Sequence, residues 1–325
     1  MRAAVYERYG PPEVVRIADM EKPVPQDNEV LVRVRATTVC AADWRLRRAK
    51  PFFIRLMTGL TRPKKTRILG MEFAGTVEAV GKLVTRFRTG DDVFGATGFR
   101  FGAHAEYVSV PEDGMLAAKP PNMSFPEAAA VLFGGFTALH FLRKAKVEED
   151  QDVLVYGASG SVGVFTVQLA KYFGARVTAV CSTGNVEMVK SLGADAVVDY
   201  TKEDFSKAGR MYDLVFDTVA MSGYSRTLRC LKRGRPYVQA GASGGGLAII
   251  AGILRGKWVS MTGAAQVIGG MAAGSPEDQL FLKGLIEAGK LRTVIDRCYP
   301  LAQIAEAHRL AEGGHKKGHV VVVME

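Results

Sequence analysis

The chain has 325 residues, of which 48% are hydrophobic and 23% are charged, and its formal net charge is +10. These proportions are typical of folded proteins and exclude an intrinsically disordered chain, which has few apolar residues. A collagen-like chain is excluded as well, because the 36 glycines follow no three-residue repeat. At roughly 100–200 residues per domain, the length predicts two domains.

The cysteine pattern bears on metal binding and on the cellular compartment. The four cysteines stand far apart in the sequence, so there is no Cys-x-x-Cys pair of a zinc ribbon or a redox dithiol. We therefore expect reduced thiols in a cytoplasmic protein. Charged residues appear at Glu7 and Arg8 before any long apolar run, so a signal peptide is not expected.

The positive charge is concentrated in residues 33–67, where eleven Lys and Arg accompany a single acid, Asp43. A nucleic-acid interface is one interpretation, but no nucleic-acid-binding motif accompanies the segment. The apolar run at 51–60 also permits contact with a membrane surface. We favour a third interpretation, a solvated face beside an anionic cofactor or substrate.

The first hundred residues predict a β-rich, barrel-like domain. Residues 29–35 alternate apolar and charged side chains, as in a half-buried strand. Residues 71–81 and 92–95 continue in the same style, with glycines between the apolar runs.

The pattern changes at Ser124, a predicted helix N-cap followed by Pro and Glu. Strands then alternate with helices, which predicts a parallel, doubly wound sheet. The predicted strands are 152–156, 176–180, 196–200, 213–217 and 236–240, and the predicted helices are 162–173 and 185–192. Residues 258–263 are interpreted as a late strand, and the chain closes with a helix at 304–312 and a strand at 318–324.

A glycine-rich turn at 157–163 follows the strand at 152–156 directly and opens a helix. This context is typical of dinucleotide binding, because glycine lets the backbone approach a pyrophosphate at a helix N-terminus. Ala158 occupies the first glycine position of a Gly-x-Gly-x-x-Gly motif, and Gly160 and Gly163 occupy the other two. The predicted cofactor contacts in this turn are Ser159, Gly160, Ser161, Val162 and Gly163.

The end of the second strand predicts which dinucleotide binds. An NAD enzyme usually carries Asp or Glu there, to bind the ribose 2′-hydroxyl. Cys181, Ser182 and Thr183 stand there instead, and Tyr200 follows the third strand. With no acid to repel a 2′-phosphate, we predict NADPH, bound by Ser182, Thr183 and Tyr200.

Short motifs recur along almost the whole chain, at 70–77, 90–95, 105–108, 135–138, 157–163, 190–195 and 216–219. Their order and spacing resemble the medium-chain dehydrogenase/reductase superfamily, in particular its zinc-free, quinone oxidoreductase-like branch. The resemblance implies a GroES-like barrel domain, residues 1–123 and 292–325, interrupted by a Rossmann NADP-binding domain, residues 124–291.

The resemblance also bears on zinc. Zinc-dependent members carry three ligands at positions that are Cys40, Met71 and Phe133 in this chain. A thiol, a thioether and a phenyl ring do not form a catalytic zinc site, which takes three N, S or O ligands. We expect no metal, and Asp43 and Glu72 are expected to be structural.

Without zinc, the expected reaction is hydride transfer from NADPH to a quinone or an α,β-unsaturated carbonyl, a small hydrophobic electrophile. Two alternatives remain open: an NADP-dependent alcohol or aldehyde oxidoreductase, and a non-catalytic NADPH-binding adaptor associated with membranes. By resemblance, the catalytic candidates are Cys40, His104 and Tyr107, although His104 is equally interpretable as a hydrogen-bonded structural residue.

The remaining predictions concern further contacts with the cofactor, the substrate pocket and the oligomeric state. Thr137, Val219 and Gly241 are predicted to contact the cofactor. A substrate pocket is expected between the two domains, lined by Phe52, Phe53, Met57 and Phe133. The resemblance implies a homodimer that pairs Rossmann edges, with the apolar segment at 258–263 as the edge strand.

Overall fold

The structure is a computed structural model that describes residues 1–64, 67–241 and 246–324, without the side chains of Met57 and of residues 246–248. It divides into two compact units. We call Met1–Phe133, Ser275–Gly289 and Thr293–Glu325 the barrel unit, and Gly134–Gly274 with Lys290–Arg292 the Rossmann unit. The sequence-based domain limit of 124–291 differs from this division at 124–133 and 275–289 and stays a prediction.

Both units contain strands and helices. The strands are β1 (Arg2–Tyr6), β2 (Val15–Asp19), β3 (Glu29–Thr38), β4 (Glu72–Val80), β5 (Asp92–Ala96), β6 (Tyr107–Pro111), β7 (Leu116–Ala118), β8 (Asp152–Tyr156), β9 (Arg176–Cys181), β10 (Ala196–Asp199), β11 (Leu214–Asp217), β12 (Pro236–Gln239), β13 (Gln266–Gly269), β14 (Ile295–Pro300) and β15 (His319–Val323). The helices are α1 (Ala41–Arg48), α2 (Ile54–Thr58), α3 (Phe125–Ala129), α4 (Leu132–Lys144), α5 (Ser161–Tyr172), α6 (Val186–Lys190), α7 (Tyr224–Cys230), α8 (Gly246–Met261), α9 (Pro276–Glu287) and α10 (Ile304–Glu312).

The barrel unit is built on a sheet of order β14-β15-β3-β4-β5-β7, with β6 paired to β3. In β3 the side chains of Val30, Val32 and Val34 are buried, whereas Arg33 and Arg35 are exposed. Residues 32–35 thus show the period-2 pattern of a strand with one face on a core, whereas Leu31 is buried as well. The valines pack with Phe73 and other apolar residues of β4 to β7.

The Rossmann unit contains a sheet of order β10-β9-β8-β11-β12-β13 in which every pairing is parallel. Val153, Leu154 and Val155 of β8 are completely buried. A continuous apolar run is expected for a parallel strand, because helices cover both faces of the sheet. The doubly wound sheet that strand–helix alternation predicts is therefore confirmed, as is the mixed β and α/β fold class.

One predicted strand is wrong. Residues 258–261, interpreted above as the start of a sheet edge, are the last turn of α8. Short apolar runs do not distinguish helix from strand, and here the four-residue spacing of Ile250, Leu254 and Trp258 was the informative period. These three side chains and Met261 are exposed. The strand at the end of the sheet is β13 instead.

Within residues 1–64, 67–241 and 246–324, no helix combines the length and the apolar character needed to cross a bilayer.

Candidate active site and cofactor site

The glycine-rich turn joins the end of β8 to the start of α5. Gly157 adopts a φ of 79°, which strongly favours glycine. A Cβ on Gly163 would lie 2.2 Å from the carbonyl oxygen of Gly157, so only glycine fits where the helix packs against the turn. The small residues of this motif are therefore explained by backbone geometry.

The first turn of α5 offers free donors to an anion. Its N-cap is Gly160, and no side chain caps it. Among the described residues other than its chain neighbours, a Cβ on Gly160 would have one heavy atom within 4 Å, the Gly157 oxygen at 3.6 Å, so there is space above the turn. Uncapped N–H groups and the positive end of a twelve-residue helix suit a pyrophosphate. The turn fits a dinucleotide cofactor.

A side chain that sequence reasoning missed connects this turn to the end of β9. The Asn185 amide nitrogen lies 3.1 Å from Ser159 Oγ and 3.1 Å from Ser182 Oγ. Its carbonyl oxygen Oδ1 is buried without a hydrogen-bond partner among the described residues. The structure thus brings two predicted contacts together, Ser159 and Ser182. A polar residue opening the helix after β9 was the available signal.

The third predicted phosphate contact, Thr183, is already engaged. Its hydroxyl donates to Asp199 Oδ2 at 2.5 Å. Hydrogen bonds from Thr183 and Thr201 lower the pKa of Asp199 to about 2, so this carboxylate is ionised. An acid from β10 therefore stands behind the turn after β9, although the turn itself contains none. Tyr200 is 49% exposed and available.

The remaining predicted cofactor contacts lie in the same unit. Val219 follows β11, and its N–H donates to Asp217 Oδ1 at 3.0 Å. Gly241 follows β12, and a Cβ there would lie 2.8 Å from the Thr218 oxygen. Both are at carboxyl ends of parallel strands, where such sheets bind ligands. Thr137 lies on α4, one turn after Gly134, which packs against α5.

In the barrel unit, Cys40 precedes α1 and is buried with Asp43. One oxygen of Asp43 accepts from the Cys40 N–H at 2.8 Å, and the other accepts from the Gly70 N–H at 2.8 Å. Asp43 thus ties the start of α1 to the turn before β4. Burial, followed by the charges of Asp43 and Glu72, raises the pKa of the Cys40 thiol well above its usual value.

Glu72, the first residue of β4, is only 1% exposed. Its carboxylate accepts from Thr38 Oγ1 at 2.5 Å and from the Phe133 N–H at 2.6 Å. Burial raises its pKa to about 7, and the two hydrogen bonds limit the rise. A carboxyl group that titrates near neutral pH therefore lies beside the end of β3.

The other two catalytic candidates occupy different places. His104 is completely buried, and its Nε2 lies 2.9 Å from the Thr38 carbonyl oxygen, which favours the structural interpretation. Tyr107 pairs with Arg33, seven residues before Cys40. At about 3.3 Å per residue, that is roughly 23 Å along the sheet. The structure does not bring Tyr107 to Cys40.

The three zinc positions of the family do not provide a ligand set. The thiolate of Cys40 is disfavoured by burial, and Met71 packs against an apolar cluster. Within the described part of the chain, no group of three or more His, Cys, Asp or Glu residues could hold a metal ion. Catalytic zinc does not fit these residues.

The structure describes the side chains of three of the four predicted substrate-pocket residues. Phe52 is 62% exposed and Phe53 is 49% exposed, just before α2. The Tyr9 hydroxyl anchors the end of α2 by donating to the Gly59 oxygen at 2.7 Å. Phe133 is half-buried at the start of α4. The Met57 side chain lies outside the described residues.

Lys316 is a further titratable group that the sequence analysis did not single out. Its ammonium donates to the Gly318 carbonyl oxygen. Burial lowers its pKa to about 8, and the neighbouring Cys40, Asp296 and Glu72 oppose the shift. The barrel unit thus places a lysine near the Cys40 and Glu72 side chains.

Comparison with known proteins identifies the class. Residues 26–121 match the alcohol dehydrogenase GroES-like domain, and residues 192–322 match the zinc-binding dehydrogenase family. The chain is 32% identical to a 2-methylene-furan-3-one reductase of Solanum lycopersicum, over 99% of this chain and 79% of the relative. It is 30% identical to an NADPH-dependent alkenal/one oxidoreductase of Arabidopsis thaliana, with the same coverage.

Solved structures agree. A quinone oxidoreductase from Coxiella burnetii superposes with a TM-score of 0.88 at 30% identity, covering 100% of this chain and 99% of the other. A protein described as an NAD-dependent alcohol dehydrogenase superposes with a TM-score of 0.84 at 31% identity, covering 100% of both chains. The chain belongs to the medium-chain dehydrogenase/reductase superfamily, in its quinone oxidoreductase-like branch. The resemblance noted in the sequence is confirmed.

Proposed function

We propose that the protein is an NADPH-dependent oxidoreductase that transfers hydride to a quinone or an α,β-unsaturated carbonyl. The observation that carries this proposal is that the chain combines a turn suited to a dinucleotide with zinc positions that do not provide a set of zinc ligands. The uncapped, glycine-lined start of α5 suits a dinucleotide, and the family's zinc positions hold Cys40, Met71 and Phe133. The names of the similar reductases and oxidoreductases support both the reaction and the cofactor.

The residues of the Rossmann unit would hold the cofactor. The N–H groups at Ser161 and Val162 would bind its pyrophosphate, and Ser182 and Tyr200 would bind the 2′-phosphate. Val219, Gly241 and Thr137 would contact the rest of the molecule. NADPH, when bound, supplies the hydride. The protein's part is to bind and orient the cofactor and the acceptor.

The acceptor must be electron-poor, because the residues at the family's zinc positions do not form a site for a metal ion that could polarise a simple carbonyl. Phe52, Phe53 and Phe133 are proposed to contact an apolar acceptor. Cys40 would meet it as a neutral thiol, since burial disfavours the thiolate. The buried His104 is proposed to fix the end of β3 rather than to touch substrate.

The test is a substrate screen. Oxidation of NADPH and of NADH is measured with one quinone, one enone and one saturated aldehyde, and the reduction of NADP⁺ and NAD⁺ is measured with one alcohol. We expect turnover of the quinone or enone with NADPH. Turnover of the alcohol alone, with stoichiometric zinc in the purified protein, would favour the alcohol oxidoreductase. NADPH binding with no turnover of any acceptor would favour the adaptor.

Assembly and location are proposals as well. We propose a homodimer in which β13 pairs with its copy and the exposed apolar face of α8 is covered, because the edge strand and this face adjoin in sequence. Light scattering that gives a monomer mass at micromolar concentration would contradict it. A cytoplasmic location rests on the free cysteines.

A further inference from the structure

The turn at 313–318 joins α10 to β15 and brings its residues to the end of β3. The Val39 N–H donates to the Val320 oxygen at 3.0 Å, and Val321 pairs with Thr38. The start of β15 therefore lies beside Cys40. On the other side of β3, Thr37 pairs with Phe73, the residue after Glu72. The pairing of β4, β3 and β15 thus brings a small group of polar side chains together.

Lys316 is the cation of this group. Its side chain is half-buried and bends back to donate to the Gly318 carbonyl oxygen. The charged or titratable groups that interact with it are Cys40 before α1, Asp296 on β14, Glu72 on β4 and His319 on β15. The next residue, Lys317, is exposed. Its backbone N–H donates to Asp296 Oδ2 at 3.1 Å.

We propose that Lys316 is the acid that protonates the reduced substrate after hydride transfer. The inference rests on the proposed function and on an acceptor bound beside Cys40. With an enone, the hydride from NADPH forms a C–H bond at the β-carbon, and the π electrons move to the carbonyl oxygen. An N–H bond of Lys316 then breaks as its proton passes to the α-carbon of the enolate, where a C–H bond forms and the carbonyl is restored. Bulk water returns a proton to the neutral amine, and the oxidised cofactor is NADP⁺.

The neighbouring groups are less suited to this step. His104 is buried and engaged with the Thr38 carbonyl. Both oxygens of Glu72 accept hydrogen bonds, from Thr38 and from the backbone of Phe133. The raised pKa of the Cys40 thiol makes it a poor proton donor. A general acid works best when its pKa lies near the operating pH, and burial brings the pKa of Lys316 to about 8.

The kinetic test uses Lys316→Met and Lys316→Arg, with Lys317→Met as the matched control. In Lys316→Met, kcat for an enone with NADPH should fall by about 100-fold, the lower end of general acid catalysis, while KM changes little. Wild-type kcat should fall as pH rises through about 8, because the protonated amine is lost. The guanidinium of Lys316→Arg should remove that alkaline limb. Lys317→Met should behave as wild type.

A second readout does not depend on turnover. In the cofactor-free protein labelled with ¹³C at lysine Cε, one resonance absent from Lys316→Arg should titrate near pH 8. Titration near the ordinary lysine value of about 10.4 would overturn the inference. So would unchanged kcat and pH profile in Lys316→Met while the wild type reduces the enone. If the wild type reduces none of the acceptors with NADPH, the proposed function is wrong, and the role of Lys316 as the acid is wrong with it.

Discussion

The two units reach their functional groups by different routes. In the Rossmann unit, the phosphate-binding turn is one continuous stretch, 157–163, and its backbone makes the site. In the barrel unit, Cys40 follows β3, Glu72 begins β4 and Lys316 lies in the turn before β15, and the pairing of these three strands brings the residues together. A site made of backbone in one turn tolerates little change at its glycines. A site made of side chains on several strands depends on register and burial.

The strongest test of this contrast is Gly163→Ala. Its Cβ would lie 2.2 Å from the Gly157 oxygen, so the turn must shift. We expect NADPH binding to weaken by at least about 100-fold, equivalent to about 2.7 kcal/mol, from the strain and the lost phosphate contacts. Calorimetric titration with NADPH measures it. Gly184→Ala is the matched control, because in the part of the chain that the structure describes no atom beyond its chain neighbours lies within 4 Å of a Cβ there. Equal loss in both variants would contradict the backbone account.

In the barrel unit, the second test is the pH dependence of stability at Glu72. Its pKa is raised from 4.5 to about 7 by burial, so the folded state holds a proton that the unfolded state has lost between these pH values. Stability should therefore fall by about 3 kcal/mol as pH rises from 4.5 to 7 and then level off. Glu72→Gln should remove that decline. Urea unfolding of the wild type and of Glu72→Gln, measured across this pH range, tests the prediction. If the free energy of unfolding depends on pH in the same way in both proteins, the prediction is wrong.

The third test separates substrate contacts from cofactor contacts. Replacing Phe52 and Phe53 together by Ala should raise KM for a bulky hydrophobic quinone roughly tenfold, about 1.4 kcal/mol of lost apolar contact. NADPH affinity should hardly change, since its proposed contacts lie in the other unit. Steady-state kinetics with a large and a small quinone measure the effect. Unchanged KM with an intact fold would remove both residues from the pocket.

The last test concerns cofactor choice. Ser182→Asp should weaken NADPH by on the order of 1–3 kcal/mol through like-charge repulsion, with little effect on NADH. Asp199→Asn should act in the opposite direction by a smaller factor, because it removes the carboxylate behind Thr183. Fluorescence titrations with both cofactors test the pair. Wild-type protein that binds NADH as tightly as NADPH would refute the assignment.

The sequence was informative where chemistry is local. The turn at 157–163, the β3 alternation and the N-cap at Ser124, whose hydroxyl accepts from the Glu127 N–H, follow from short-range rules. Lys316 was not predictable, because only strand pairing places it beside Glu72. The distance between Tyr107 and Cys40 could not be predicted for the same reason, since it depends on strand register. The strand predicted at 258–263 was wrong because the short run was considered alone, without the four-residue spacing that links Trp258 to Leu254 and Ile250.

The outward face of α8 has an optical consequence. The chain has two tryptophans, and they fall one in each unit: Trp44 on α1 is half-buried, whereas Trp258 on α8 is 66% exposed. Iodide should quench the emission of Trp258 far more than that of Trp44. With Trp44→Phe, the remaining fluorophore reports on the α8 surface alone. A blue shift and loss of quenching on raising the protein concentration would then reveal a partner covering that helix, without any label being added.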